Sequence, residues 1–458
     1  MAKENSTSAW PITLFTIGVF MAGLDNGIIS TALTTISDSF EVSPDWGAWT
    51  VTIYTLGLAI STPIIGKLSD RYGRRRLFVF EIFLFGLGSL FVALSPNFTF
   101  LLTARFIQAI GGGGIFIIGS SYILSTLPVE KQGKALGMLG GMHGISAVIG
   151  PNLGAMILGI TGTWQWMFLI NLPIAVFLIV FGFLKIEEIR PGTEKPLDIL
   201  GTVLLSLSII SFMYGITQLD SDAFIHSILE WEVLLFLLLG IVLFTLLILH
   251  ERKIEEKGAD PILATSLLNK QLFKVTLVLG LISGGFIAAI IFIPAFVQQV
   301  LGAPVEQAGF WVTPLALSSG IGAGLGGFLA DKLGPVKTII LSGFLGLLGF
   351  AIFSIIESGF TLFVIASIIA GVGLGILLGA PLNMLAGKSA DEKDRGSALG
   401  TLSLMRQIGL TLFPAIFAGF LSNVTTGYST MFLIIVVLAI LVILIGFYLV
   451  QKGDKNLV

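Results

Sequence analysis

The stretch Gly-Lys-Leu-Ser-Asp-Arg-Tyr-Gly-Arg-Arg-Arg occupies residues 66–76 and lies between two long apolar runs. A weaker copy, Gly-Phe-Leu-Ala-Asp-Lys-Leu-Gly, occupies residues 327–334, which is 261 positions further along the chain. Residues 133–143 align with residues 396–406 at nearly the same offset, 263 positions. Because several segments keep almost one offset, the sequence indicates an internal repeat of about 262 residues.

The composition is that of a membrane protein. Hydrophobic residues make up 55% of the 458 residues, charged residues make up 11%, and the mean hydropathy is +0.98. A soluble domain carries about 25% charged residues, which cover its surface. The sequence therefore predicts an integral membrane protein.

The composition also excludes several classes of function. A net charge of −2 argues against nucleic-acid binding through bulk positive charge. The chain has no cysteine, so it forms no disulfide and carries out no thiolate chemistry, and its three histidines are far apart. It also contains no G-x-x-x-x-G-K-[ST] loop for ATP. We expect no enzymatic activity, no metal and no cofactor.

Fourteen stretches are apolar enough and long enough, at about 20 residues each, to cross a bilayer as helices. They are residues 11–36, 46–66, 77–95, 98–124, 134–159, 164–184, 197–218, 231–250, 273–299, 307–330, 336–356, 360–383, 395–421 and 429–450. The first of them is read as a retained span rather than as a cleaved signal peptide. The predicted fold class is therefore an all-α integral membrane protein with fourteen transmembrane helices.

Positive charge sets the orientation of these spans. One set of connecting segments holds 23 of the 25 basic residues. All the charged residues of the opposite loops are acidic. Cytoplasmic loops are the ones enriched in Lys and Arg, so both termini are predicted to be cytoplasmic.

The repeat and the span count together predict three parts. Two six-helix bundles, residues 1–190 and 256–458, flank two inserted linker helices at 191–255. Parallel repeats of this kind mark transporters that place their site between the halves and rock around it.

The loop at 66–76 and its copy resemble the signature loop of the major facilitator superfamily. The residues that carry this resemblance are Gly66, Asp70, Arg71, Gly73, Arg74, Arg75, Asp331 and Gly334. The resemblance implies the major facilitator fold and a gating role for these residues on the cytoplasmic side. A plain basic loop is the alternative interpretation.

Three further segments are similar to drug:proton antiporters of this superfamily with fourteen helices. Residues 105–114, Arg-Phe-Ile-Gln-Ala-Ile-Gly-Gly-Gly-Gly, resemble the arginine motif of its proton-coupled members, and residues 24–33 resemble the first-helix motif, with departures at Gly27 and Ser30. The fifth span resembles the antiporter motif and departs from it at Ala155. The antiporter motif is carried by Gly144, Gly150, Pro151 and Gly154. The proline is expected to bend this helix where small residues allow close packing.

Ionisable residues inside spans are functional candidates by default. Asp25 and Arg105 are predicted at similar depth in the same bundle, and Asp25 is our candidate for the coupling proton, with Arg105 acting on it electrostatically. A structural ion pair is the alternative. His143 and Arg406 occupy matching positions in the two halves, so both are predicted to face the central pathway as further candidates for proton coupling. A charge at the depth of Arg406 requires a partner, either Asp25 across the cavity, a carbonyl or water. A hydrogen-bonded packing role is the alternative for His143.

Other side chains are weaker candidates. The resemblance implies that several polar and aromatic side chains lie on helices that line the cavity. The candidate substrate contacts among them are Asn26, Tyr54, Gln108, Phe286, Gln298, Trp311 and Asn383. Packing inside the bundles is the alternative for each of them. Glu81 is expected to extend to Arg75 or Arg76.

The resemblance implies a proton-coupled exporter of lipophilic, often cationic, compounds in a bacterial plasma membrane, acting as a monomer. An apolar cavity with few fixed polar anchors favours low-specificity binding. The alternatives are a narrow-specificity exporter of a tetracycline-like compound or a lipid on the same scaffold, and a non-transporting membrane sensor.

Overall fold

A computed structural model describes residues 10–191, 198–219, 224–257, 261–263, 265–303, 305–418, 420 and 424–452. Those residues form helices and no strand. The α-helices are α1 (Trp10–Ser39), α2 (Pro44–Tyr72), α3 (Arg74–Ala93), α4 (Phe98–Gly113), α5 (Ile115–Thr126), α6 (Val129–Thr161), α7 (Gln165–Leu169), α8 (Asn171–Lys185), α9 (Ile199–Thr217), α10 (Phe224–Ile228), α11 (Trp231–Glu256), α12 (Thr265–Asn269), α13 (Gln271–Ile291), α14 (Ile293–Gln299), α15 (Val305–Leu333), α16 (Pro335–Ile355), α17 (Phe360–Leu378), α18 (Ala380–Ser389), α19 (Arg395–Ala418) and α20 (Val424–Gln451).

The protein is a multi-pass helical membrane protein. Within the described ranges, twelve helical segments are long and apolar enough to cross a membrane, and the bent helix α6 makes a thirteenth if its two arms count as one span. The stretch predicted at 395–421 forms α19, in which two arginines and many glycine, serine and threonine residues lower the hydropathy. The count of fourteen spans therefore stays a prediction.

The helices pack in two groups. In the first group, α1 lies against α6, and α3 lies against α4 and α8. In the second group, α13 lies against α19, α15 against α17, and α16 against α17 and α20. The inserted helices α9 and α11 pack on each other, and α9 also contacts α2 and α19, one helix from each group. The residue boundaries predicted for the three parts remain a prediction.

The outside of the inserted pair is apolar. Only 17% of the α11 span is buried within the protein, and its exposed side chains include Leu238 and Val242. In lipid, an apolar helix exterior with internally bonded backbone groups is the stable arrangement. The start of the pair is fixed by Asp198, whose Oδ1 accepts a hydrogen bond from the Gly201 amide at 2.9 Å, as expected for an acid at a helix N-terminus.

Helices α4 and α5 form one rod that is interrupted at Gly114. Glu81 of α3 provides the hydrogen-bond acceptor for the amide at this interruption. Glu81 is fully buried, and its Oε2 accepts a hydrogen bond from the Gly114 amide at 2.9 Å. The amides at a helix start lack a partner within the helix, so a buried carboxylate suits this position. The expected contact of Glu81 with Arg75 or Arg76 is wrong, because Glu81 points into the bundle. Both of those arginines lie 3.7 Å from Glu188 instead.

Candidate functional site

The two halves meet at the end of the bundle that carries the loop 66–76, which we call the basic end. Asp70 Oδ2 accepts a hydrogen bond from the Gly396 amide at 2.7 Å, and Asp70 Oδ1 lies 3.3 Å from Arg74 Nη2. Gly396 is in the first turn of α19, so the carboxylate binds the N-terminus of a helix from the other half. The approach is close, because a Cβ atom on Gly66 would overlap the Gly396 carbonyl oxygen.

Asp331 makes the repeat-related contact. Its carboxylate accepts hydrogen bonds from the Gly133 amide at 2.6 Å and from the Lys134 amide at 2.8 Å, near the N-terminus of α6. A Cβ atom on Gly327 would overlap the Gly133 carbonyl oxygen. In each half, therefore, an acid binds the N-terminus of a helix from the other half, and the glycine four residues before the acid allows the close approach. The repeat in the sequence corresponds to a contact that is built twice.

The remaining residues of the loop shape and support these contacts. Gly73 and Gly334 have φ angles of 103° and 87°, which favour glycine because it has no Cβ. The Arg75 amide donates a hydrogen bond to Glu188 Oε1 at 3.1 Å. The Arg71 guanidinium lies 5.3 Å from the centre of the Tyr72 ring.

Asp25 of α1 and Arg105 of α4 form a buried ion pair inside the first group of helices. Arg105 Nη1 lies 2.6 Å from Asp25 Oδ2, and each side chain is 1% exposed. The predicted proximity of these two residues is therefore confirmed. Because a charge inside a membrane span is costly, the pairing accounts for how each of the two is tolerated.

Amide side chains complete the shell around Asp25. Gln108 Nε2 donates hydrogen bonds to Asp25 Oδ1 and to Ser89 Oγ, both at 2.8 Å. Asn171 Nδ2 lies 3.4 Å from Asp25 Oδ1 and 3.2 Å from Ser89 Oγ. The structure thus places Gln108 in an inter-helix hydrogen-bond network and not at a cavity. Sequence reasoning missed Asn171, although an asparagine within the apolar stretch 164–184 was a usable signal.

Tyr54 contacts this ion pair and also borders the cavity between the two halves. The Arg105 guanidinium carbon is 4.1 Å from the centre of the Tyr54 ring, a cation–π distance. Tyr54 borders the central cavity, yet only 1% of its surface is exposed. Asp25 itself is not among the residues that line the cavity, whereas Tyr54 contacts both Arg105 and the cavity.

The central cavity has a volume of about 200 Å³ and lies between the two halves. Helices α1, α2, α4, α5 and α6 line one side, and α13, α15, α17 and α19 line the other. His143 and Arg406 both line it, so the prediction that this symmetry-related pair faces the central pathway is confirmed. Most other lining residues are glycine or aliphatic, with Ser319, Ser403 and Gln407 among the polar ones.

Arg406 has few partners at the cavity wall. Its Nε donates to Ser283 Oγ at 3.4 Å, and its buried Nη2 has no hydrogen-bond partner among the described residues. Ser283 was not singled out from the sequence. One of the partners predicted for Arg406, Asp25 across the cavity, is instead bound to Arg105.

Four other predicted substrate contacts, Phe286, Trp311, Asn383 and Gln298, are not among the residues that line this cavity. Phe286 packs its ring 5.6 Å from that of Phe350, and Trp311 packs 4.7 Å from Phe360. The structure thus places these aromatic rings in packing contacts inside the second group of helices, where burial stabilises them. Asn383 donates a hydrogen bond to the carbonyl of Gly379, the residue between α17 and α18. Gln298 is half-buried in α14, and the Asn26 side chain lies outside the described residues.

The antiporter-motif residues of α6 are placed in helix packing. The helix bends by 40° between Ser146 and Ile149, next to Gly150 and Pro151. A Cβ atom on Gly150 would lie 2.6 Å from the Gly27 Cα atom of α1, so the expected bend and close approach are both present. In the same helix, Gly144 faces Gly320 of α15 at the cavity, and Gly154 is buried.

The residues that the structure describes form no candidate metal site. No group of three or more His, Asp or Glu side chains is close enough there to hold an ion.

Two repeat-related helical halves, a cavity between them and paired contacts at one end are characteristic of membrane transporters built from structural repeats. The sequence matches the Major Facilitator Superfamily over residues 15–414 and again over residues 275–457. The chain belongs to that superfamily. It is a transporter rather than an enzyme.

Three known proteins illustrate the similarity. The chain is 59% identical over 426 residues to the uncharacterized MFS-type transporter YfiU of Bacillus subtilis strain 168, covering 93% of this chain and 82% of the relative. It is 32% identical over 433 residues to multidrug resistance protein 3 of the same organism, again covering 93% and 82%. The crystal structure of the human organic anion transporter MFSD10 superposes with a TM-score of 0.67 at 14% identity, covering 94% of this chain and 99% of that one, which shows the fold alone.

Proposed function

We propose that this chain is a proton-coupled antiporter that exports lipophilic compounds across a bacterial plasma membrane by alternating access. It would act as a monomer of the fourteen-helix drug:proton antiporter type, without a cofactor. The positive-inside rule makes the basic end cytoplasmic and puts both termini on that side. With the basic end closed by the Asp70 and Asp331 contacts, the described conformation is then the one that is closed toward the cytoplasm.

The observation that carries the proposal is the buried pair of Asp25 and Arg105 behind Tyr54. A proton that reaches Asp25 neutralises the carboxylate and removes the charge that holds Arg105. Tyr54, which stacks on Arg105, then loses its fixed neighbour, so protonation alters the cavity wall. When the cytoplasmic side opens, Asp25 releases the proton and pairs with Arg105 again. A carboxyl whose partner changes between two states is suited to this role.

Low specificity follows from the cavity wall. Apolar residues such as Val19, Ile115 and Phe116 dominate the lining, and few polar groups fix a ligand in one orientation. The similarity to multidrug resistance protein 3 supports the same reading. The narrow-specificity exporter stays the second candidate, and a screen that finds a single accepted compound would favour it. The predicted preference of the transporter for cationic compounds requires that Asp25 become exposed to the substrate, and it stays a prediction.

The test of coupling uses inside-out membrane vesicles with an acidic interior. Addition of a transported lipophilic dye is expected to release protons from the interior, and Asp25→Asn is expected to abolish this release while dye binding to the purified protein persists. The matched control is Asp38→Asn, an exposed acid at the end of α1. Proton release that survives Asp25→Asn unchanged would overturn the assignment of the coupling residue.

A further inference from the structure

The charge at the central cavity is one-sided. Among the described residues that line it, none is acidic, and Arg406 is the one side chain that stays charged at every physiological pH. His143, from the matching position of the other half, lines the same space and is exposed to it. A cavity of this composition attracts an anion and repels a cation.

Arg406 also has unused hydrogen-bonding capacity. A guanidinium has five N–H donors, and the one acceptor recorded for Arg406 is the neutral hydroxyl of Ser283, 3.4 Å from Nε. The buried Nη2 has no acceptor in the described part of the chain. A buried donor without a partner is unfavourable, so a ligand that supplies an acceptor recovers this free energy.

The rest of the wall suits a lipophilic body. Apart from a few hydroxyl and amide groups, such as those of Ser403 and Gln407, the lining is aliphatic, aromatic or glycine. A ligand that fills this cavity therefore needs an apolar part, together with one negatively charged group placed at Arg406. Carboxylate and phosphonate groups match the planar fork of a guanidinium with two parallel hydrogen bonds.

Resting on the proposed export function, we infer that the substrates of this transporter include amphiphilic organic anions. Arg406 binds the carboxylate, sulfonate or phosphonate group, and the apolar wall binds the remainder. In this conformation Asp25 is neutralised by Arg105 behind Tyr54, so it does not oppose the anion.

The experiment compares a fluorescent dye that bears one carboxylate with its neutral methyl ester. Binding to the purified protein is measured without a pH gradient. We expect the carboxylate to bind at least about tenfold more tightly than the ester. Arg406→Gln is expected to reduce that ratio to near one, and Arg406→Lys to preserve part of it. The control Lys337→Gln, which removes an exposed positive charge from α16 outside the cavity, is expected to leave the ratio unchanged.

An ester that binds as tightly as the carboxylate, or a ratio that Arg406→Gln leaves intact, overturns the inference. If Arg406→Gln does not fold, Arg406→Lys and the wild-type ratio decide the matter. Because this binding is measured without a gradient, failure of proton coupling is read separately: dye-induced proton release in vesicles tests the proposed function, and the carboxylate-to-ester ratio tests the role of Arg406.

Discussion

Arg105 Nη1 lies 2.6 Å from Asp25 Oδ2, and both side chains are shielded from water. The ion pair is thus a feature of the interior of one helical group and not of the cavity surface. Because Asp25 does not line the cavity, a change at Asp25 reaches the substrate through its neighbours, among them Arg105 and the Tyr54 ring on which Arg105 stacks. This arrangement determines what substitution of either partner does.

Loss of one partner is expected to destabilise the protein strongly. Arg105→Leu leaves the Asp25 carboxylate buried and unpaired, which costs about 3–5 kcal/mol of unfolding free energy. The double variant Asp25→Asn with Arg105→Leu is expected to recover part of that loss, because no uncompensated charge remains. Thermal unfolding in detergent measures both. A double variant that is no more stable than Arg105→Leu would show that the pair contributes by shape alone.

Small residues at the basic end are expected to control closure. Gly327→Ala places a methyl group on the Gly133 carbonyl oxygen, so the halves are pushed apart there. Gly324→Ala, one turn away on α15, is the matched control, since a Cβ atom at that position meets nothing within 4 Å. We expect the first substitution to shift spin-label distances across the basic end and to slow export. We expect the second to do neither, and equal effects would contradict the role of the close approach.

The two acids are expected to contribute unequally. A charge-assisted hydrogen bond contributes about 1.5–3 kcal/mol, so Asp70→Asn and Asp331→Asn should both open the basic end. Asp70 is 1% exposed and is bound to Arg74 as well as to α19, whereas Asp331 is more exposed and hydrogen-bonds only the amides of α6 among the bonds recorded. We therefore expect the larger change from Asp70→Asn. Accessibility of a cysteine introduced at the basic end measures it, and a larger effect of Asp331→Asn would refute the ranking.

Glu81 is expected to matter for stability rather than for transport. Glu81→Gln keeps an acceptor for the Gly114 amide and should change the unfolding free energy by less than about 1 kcal/mol, whereas Glu81→Leu leaves that amide unsatisfied and should cost about 1–3 kcal/mol. Melting curves of the two variants test this. Comparable melting temperatures for the two would mean that the amide has another acceptor.

Much of the architecture followed from composition, the repeat and charge. The repeat placed Asp70 and Asp331 in equivalent roles, and the depth estimate placed Asp25 beside Arg105, because regular helices convert sequence position directly into depth. The direction in which a side chain points around its helix is different. It depends on packing between helices, which a single sequence does not reveal.

Glu81 and Phe286 illustrate that limit. The wrong interpretation of Glu81 came from its closeness in sequence to Arg75 and Arg76, whereas the broken helix at Gly114 provides its partner. Phe286 lies within an aromatic cluster that also includes Phe350. The chain has 36 phenylalanines, and the residues next to Phe286 in the sequence do not indicate that it belongs to such a cluster. Arg406 is the opposite case, because a lone charge in a span already marked it as a residue that requires an explanation.

Both closures at the basic end use main-chain amides as donors, those of Gly133, Lys134 and Gly396. Every amino acid except proline supplies such a group. The side chain at position 134 can therefore be substituted during evolution without loss of the closing contact. The acids and the glycines cannot, because the geometry of the contact requires them. A lineage of this transporter can thus alter the charge at its basic end and keep the same closing contacts.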